Sequence, residues 1–442
     1  METAAPTAAF EKYPAYKDSG VDWLGEIPEH WQLCRFKFLF REINEKSPDG
    51  NGDLLSVSQY TGVTKKSDKI EDGDLLSTAA TLEGYKKVYQ NDLVTNIMLA
   101  WNGSLGFSPF DGITSPAYSV YRLASGNSER FFHYLVRSEV YKSEFKRKSS
   151  GVIESRLRLY TDDFYSIWSI LPTLPEQTAI AQFLDDKTAK IDRAIAQKEK
   201  LITLLKERKQ IIIQDLVTGK KVWNPAQNAF TAPTRVKPSG VEWIGEIPEG
   251  WEVKPGLVFF KENKRSNKGM KEGTVLSLSY GKVIIKPEEK LVGLVPESFE
   301  TYQIVEPGDI IVRCTDLQND QTSLRMGIAK DDGIITSAYI NLGALGENLP
   351  EYLYSYLHFV DVSKALYKFG SGLRQNLSIA DFKRMPILSV PLIEQQKIVE
   401  GIGFQSKKID NAINMQERQI EKLKELKSSL IDAAVTGKIK VG

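Results

Sequence analysis

The residues of this chain that could do covalent or metal chemistry are few, and their spacing is wrong for it. The three histidines, His30, His133 and His358, are scattered, and none lies at metal-ligand spacing from another or from a cysteine. Cys34 and Cys314 are far apart in sequence, which fits a reducing compartment better than a disulfide framework or a zinc site. Gly370-Ser371-Gly372 lacks the third glycine and the preceding strand of a dinucleotide loop, and no phosphate-cradling Walker loop is present. Asn224-Pro225-Ala226 lacks the aromatic residue that would follow in an adenine-methyltransferase loop, and no serine or cysteine lies in a nucleophile context. These residues point to a binding protein and not to an enzyme.

The elements around them repeat. The stretch from Lys17 to Trp31, with Gly25-Glu26-Ile27-Pro28 at its centre, returns almost unchanged from Lys237 to Trp251 with Gly245-Glu246-Ile247-Pro248. A helical segment that opens on Glu176-Gln177 and closes on Val217-Thr218-Gly219-Lys220 returns from Glu394-Gln395 to Val435-Thr436-Gly437-Lys438. Between these frames lie two stretches with little sequence in common. Phe10 and the residues before it also resemble Asn228-Ala229-Phe230, which predicts that the start of repeat one completes repeat two, as in a closed pseudo-twofold ring.

From Glu176 to Val217 there is neither proline nor glycine, and Gly219 follows as a C-terminal stop. At ~1.5 Å per residue this predicts a helix of roughly 63 Å. Leu184, Ile191, Leu205 and Ile212 fall on one heptad position, with Ile195, Ile202 and Leu216 beside it. The second copy carries Ile402, Ile409, Leu423 and Leu430 at that position, and Ile413 and Ile420 beside it. Lys198 and Gln416 interrupt the two seams at the same point. Matched seams predict an antiparallel or supercoiled helix pair, the alternative being that each helix packs on its own globular domain. Gly401 and Gly403 leave room for a kink in the second helix.

The regions between the frames read as α+β. Residues 54–58, 92–97 and 118–123 alternate as strands, as do 275–279, 282–286 and 309–313, while 131–148 and 350–369 carry a helical period. The expected division is a first globular domain at 1–174, a first long helix at 175–220, a proline-containing linker at 221–236, a second globular domain at 237–392, and a second long helix with its tail at 393–442. The net charge of +1 supplies no global attraction to nucleic acid or membrane, so such affinity must come from local patches or partner subunits. No long apolar run could span a bilayer and no leader pattern is evident, so the expectation is a cytoplasmic chain.

Two Gly-Glu-Ile-Pro frames, each followed by Glu-Gln, a long helix and Val-Thr-Gly-Lys, resemble the DNA-specificity subunit of type I restriction–modification systems, over almost the whole chain. The resemblance implies two target-recognition domains separated by two long helices, each domain reading one half of a bipartite, asymmetric double-stranded DNA site. It implies that the helices set the spacer and dock two methyltransferase subunits, through which motor-nuclease subunits attach. It also implies that this chain binds no cofactor itself: S-adenosylmethionine belongs to the methyltransferase subunits, and ATP with magnesium to the motor-nuclease subunits.

On that reading, base contacts fall to polar side chains on loops, and phosphate contacts to any exposed donor. Three loops of the first domain supply candidates: Gln59, Tyr60, Thr64, Lys65 and Lys66; then Asn96, Trp101, Asn102 and Ser104; then Arg156 and Arg158. The second domain offers Ser279, Tyr280 and Lys282; then Arg313, Gln318, Asn319, Gln321 and Arg325; then Arg374, Gln375 and Asn376. Each has a plainer alternative, a solvated turn for the cations and a core position for Trp101. The basic run Lys261, Lys264, Arg265, Lys268 and Lys271 is as compatible with a solvated loop as with phosphate tracking. The repeated tryptophans, Trp23, Trp31, Trp243 and Trp251, are expected to build the frame and not to choose a sequence.

Overall fold

The computed structural model describes residues 10–69, 81–153, 157–287, 289, 298–315, 317, 324–369 and 376–441. Two helices of 44 residues dominate it, Leu174–Val217 and Leu392–Val435. Pro175 is accommodated because the first turn of a helix leaves its N–H groups unbonded in any case. Both helices end at a left-handed glycine, Gly219 (φ 76) and Gly437 (φ 75). The second helix runs unbroken through Gly401 and Gly403, so the kink those glycines allowed is not formed.

The chain divides into two compact units, one of residues 1–198 with 417–442 and the other of residues 199–416. Each unit contains one globular domain and half of each long helix. In the first unit the helix halves run antiparallel: Lys427 Nζ pairs with Asp192 at 2.7 Å, and Lys198 Nζ donates to Gln419 Oε1. In the second unit Lys209 Nζ pairs with Asp410 at 2.8 Å, and Leu216 approaches Gly401, again antiparallel. The seam residues Leu184, Ile202, Ile409, Ile413, Ile420 and Leu430 are buried, and Ile191, Ile195, Leu205, Ile212, Ile402 and Leu423 are half-buried. Ile213, one position beyond the predicted seam, is buried as well.

The two globular domains share one topology despite their unlike sequences. In the first, a four-stranded antiparallel sheet runs in the order Phe40–Glu42, Ser119–Leu123, Asp92–Thr95, Leu105–Phe107. In the second, the order is Phe260–Glu262, Ile340–Ala344, Ile310–Val312, Met326–Ile328. Each adds a hairpin, Leu55–Ser58 with Gly62–Lys65 and Leu276–Ser279 with Lys282–Ile285. The predicted helical stretch 131–148 is two helices, Glu129–Arg137 and Glu139–Lys148, because Ser138 ends one and caps the other with its hydroxyl. Its counterpart is a single helix, Pro350–Val362, followed by a 3₁₀ turn at Ala365–Lys368.

The repeated frame holds the long helices to each domain. Trp31 and Trp251 are fully buried, and their indole N–H groups donate to Glu176 (3.2 Å) and Glu394 (2.8 Å) at the helix starts. The next residue faces the globular domain. Gln177 Oε1 accepts from the Ser128 amide (2.8 Å), and Gln395 Oε1 accepts from the Leu349 amide (2.9 Å). Each Glu-Gln pair therefore fastens one helix start to both the frame and the residue that precedes helix Glu129–Arg137 or Pro350–Val362. The frame proline takes the end of the other long helix. A Cβ on Gly437 would lie 2.5 Å from Pro28, and one on Gly219 would lie 2.4 Å from Pro248. Only glycine satisfies both the positive φ and that closeness.

The segment 221–236, expected to be a linker, folds instead as the hairpin Val222–Asn224 with Ala229–Thr231. Its prolines sit outside the paired strands, which is why they did not prevent it. Phe230 from this hairpin lies over Gly401, leaving 2.5 Å for a Cβ, whereas in the first unit Phe10 stacks edge-on with Phe183 at 5.8 Å. The Lys440 amide donates to Glu11 O at 2.7 Å, the counterpart of the Val222–Thr231 pairing. The residues before Phe10 that also entered the resemblance lie outside the described residues.

Candidate nucleic-acid interface

Each domain projects one hairpin whose tip carries an exposed tyrosine. In the first, strand pairing closes at Ser58 and Gly62, and the intervening Tyr60 is 83 % exposed. In the second, pairing closes at Ser279 and Lys282, leaving the two-residue turn Tyr280-Gly281 with φ of 48 and 74. Positive φ at both central positions is the turn that matches strand twist, but it is normally filled by Asn-Gly. Tyr280 occupies it at a cost of roughly 1–2 kcal/mol and is 92 % exposed, so no packing repays the strain. An aromatic ring held in solvent on strained backbone is suited to stacking or groove contact with a ligand.

Around the first tip, Gln59 is exposed, and Lys65 and Lys66 are half-buried, Lys65 reaching Asp53 at 2.6 Å. The neighbouring loop is built from polar side chains turned inward. Asn96 is buried, its Oδ1 accepting from the Met98 amide and its Nδ2 donating to Tyr118 Oη. Asn102 Oδ1 accepts from Ser104 N and Oγ, and Gly103 turns the chain at φ 91. Trp101 is half-buried, donating to Met98 O, with Lys146 over its ring at 5.3 Å. Asn96 and Ser104, expected on the reading surface, thus shape this loop from inside. Arg158 is exposed, its backbone bridged to Ser150. Arg156 lies outside the described residues.

In the second domain, Lys282 and Asn376 are exposed and Arg313 is half-buried. Arg325, expected as a contact, is fully buried: its Nη1 donates to Thr315 O (2.8 Å) and its amide donates to Asp361 (2.7 Å). It is anchored in the domain interior, directly before the edge strand Met326–Ile328. Gln318, Asn319, Gln321, Arg374 and Gln375 lie outside the described residues. Of the basic run, Lys261, Lys264 and Lys268 are exposed, but Arg265 is internal, bridging Asp309 and Glu306 at 2.7 Å each.

Three further side chains near the tips lie on helices, Arg137, Tyr354 and His358, where loop residues in the sequence give no sign of them. Arg137 donates to carbonyls of both first-domain loops, and Tyr354 Oη donates to Gly281 O at 3.1 Å. His358 bonds Gln210 of the first long helix at 2.9 Å and borders a cavity of about 630 Å³ with Tyr280, Lys282, Lys206 and Lys209. Burial pulls its pKa down to about 4, with nearby Lys209 adding to the effect. Burial pulls His133 down to about 3, with Arg137 and Arg130 adding to it. Both imidazoles are therefore neutral at physiological pH, and nothing in their surroundings poises them for proton transfer.

No family model matches the chain. It is similar over its full length to the type I restriction enzyme MjaVIII specificity subunit of Methanocaldococcus jannaschii, 25 % identical with 94 % of each chain covered. It is also similar to the putative type I restriction enzyme MjaX specificity subunit of the same organism, 22 % identical over 95 % of this chain and 96 % of the other. Among solved structures, a chain from a study of complex assembly and conformational transition in the type I R-M system superposes with a TM-score of 0.63 at 15 % identity, covering 92 % of this chain and 98 % of that one. The superposition shows a shared fold of two globular domains and long helices, and the sequence likeness runs over nearly the whole of each chain. The chain is thus similar from end to end to proteins named as type I restriction enzyme specificity subunits. Among the described residues, no helix is long and apolar enough to cross a membrane.

Proposed function

We propose that each unit reads one half of a bipartite, asymmetric DNA sequence, and that the long helices set the spacer and dock methyltransferase subunits. The observation that carries this reading is the pair of topologically identical domains, each on the same frame and each with an exposed tip tyrosine, whose remaining surface side chains differ. Unlike readers on a like scaffold are suited to an asymmetric site, since a symmetric pair would read a palindrome. A helix of 44 residues is roughly 66 Å long, enough to cover the ~34–36 Å between half-sites one DNA turn apart. Two methyltransferase subunits would carry S-adenosylmethionine, and motor-nuclease subunits, with ATP and magnesium, would join through them. The near-neutral chain gains its phosphate attraction in that assembly.

The test is to express the chain with the type I methyltransferase encoded beside it in a methylation-free host and to map modified adenines across the genome. A split, asymmetric motif with methyl-adenine in both halves is the expected result. An assembled complex that leaves the genome unmodified would overturn the reading.

A further inference from the structure

Arg137 makes an unusual set of contacts. Its Nη1 donates to Leu105 O (2.7 Å), Gly103 O (3.1 Å) and Ser58 O (3.4 Å), and its Nη2 donates to Gln59 O (2.8 Å) and Tyr60 O (3.3 Å). All five acceptors are backbone carbonyls, and they belong to two separate loops: the Tyr60 hairpin tip and the loop carrying Trp101 and Asn102. Among the described residues no carboxylate pairs with it, so the carbonyl dipoles alone compensate the half-buried charge. A planar five-donor fork can hold two loops in one fixed relation, which a lysine cannot do. Gly62 lies against the same guanidinium, a Cβ there coming within 3.4 Å of Nη1.

The second unit handles this position differently. Counting along each helix from the Ser128 and Leu349 amides bound by Gln177 and Gln395, Arg137 and His358 occupy the same place. His358 turns to Gln210 instead of to the hairpin. Among the described residues, one hydrogen bond from this helix reaches the second tip, that of Tyr354 to Gly281.

We propose that Arg137 is a positioning residue for sequence choice in the first domain, locking the Tyr60 tip to the loop at 101–105 so that both present their side chains to DNA in one register. The proposal rests on the DNA-reading function given above. Arg137 itself touches no base. Its replacement should leave phosphate contacts, assembly and the other half-site as they were, and blur only the half read by the first domain.

The test uses the assembled methyltransferase complex and duplexes carrying single base changes across both halves of its mapped site. With Arg137→Met, discrimination should fall on the order of 10- to 100-fold at positions in one half, the scale at which small misplacements act. The other half and binding to non-specific DNA should stay unchanged. Arg137→Lys should fall between wild type and Arg137→Met. Unchanged discrimination overturns the proposal, as does an equal loss in both halves. If Arg137→Met does not assemble, Arg137→Lys is judged by the same criteria, and failure of both to assemble makes the residue merely structural and also overturns it. A wild-type complex with no two-part target would instead overturn the function on which the proposal rests.

Discussion

The repeated frame and the globular inserts follow opposite rules. In the frame, the contacts that seat the long helices recur: Trp31 to Glu176 as Trp251 to Glu394, Gln177 to the Ser128 amide as Gln395 to the Leu349 amide, Pro28 over Gly437 as Pro248 over Gly219, although His30, which also bonds Glu176, is replaced by Gly250. In the inserts, strand order is copied and the bonds are not. Asp92 is held by Arg122 from a neighbouring strand, whereas its counterpart Asp309 is held by Arg265 and by the amides of Asn263 and Asn341. The Trp–Glu and Gln–amide contacts of the frame recur in both units, whereas insert side chains change even where one bonds a long helix, as His358 does and Arg137 does not.

That contrast can be broken by substitution. The largest effects should come from the helix seam. Ile202→Glu in the second unit and Ile420→Glu in the first each place a charge at a buried apolar site, costing about 3–4 kcal/mol. Chemical denaturation should show losses of similar size, and subunit assembly should fail before base preference changes. A normal complex with altered sequence choice would contradict the architectural role. Next come the frame glycines. Gly219→Ala and Gly437→Ala combine a positive φ with a Cβ too close to a proline ring, for about 3 kcal/mol each. Melting of the two variants should be lowered alike, and a loss confined to one of them would end the claim of equivalence.

Acid should act through the inserts. His133 and His358 are neutral when folded down to about pH 3 and 4, but an unfolded histidine takes its proton below about pH 6.5. Stability contributed by these groups is therefore level above pH 6.5 and falls as pH drops below it, by about 2 kcal/mol each at pH 5. His358→Gln should flatten part of that fall, as read from denaturation midpoints between pH 7.5 and 5, and an unaltered slope would count against its burial. The smallest effect belongs to the cross-helix ion pairs. Lys209→Ala and Lys427→Ala should each cost about 0.5 kcal/mol or less, since Asp410 and Asp192 are more than half exposed.

The parts legible in the sequence are those with local or repeated signatures. The long helices announced themselves by the lack of breakers, and the frame by appearing twice. The strands at 54–58 and 275–279 were visible as alternation, within a residue of Leu55–Ser58 and Leu276–Ser279. The linker hairpin was hidden because its prolines read as a spacer while its short strands, Val222–Asn224 and Ala229–Thr231, carry little periodicity. Arg325 was misplaced onto the surface because nothing adjacent in sequence reveals Asp361 as its partner. Arg137 was missed for the same reason: all its acceptors lie at least 32 residues away along the chain. Candidate loops can be read from turn residues, but what braces them comes from distant backbone.

The Glu-Gln pair at each helix start has a rotational consequence. Consecutive residues on a helix point about 100° apart, so one side chain bound to the frame and the next bound at the start of a domain helix together fix the long helix about its own axis. Glu176 and Gln177 act as a key in a slot, and Glu394 and Gln395 as a second key. A residue inserted beyond either key would turn every later seam side chain by that same angle. Lengthening the helix is therefore an indexed operation, in which only additions close to whole turns return Ile202 or Ile420 to the face it occupies now.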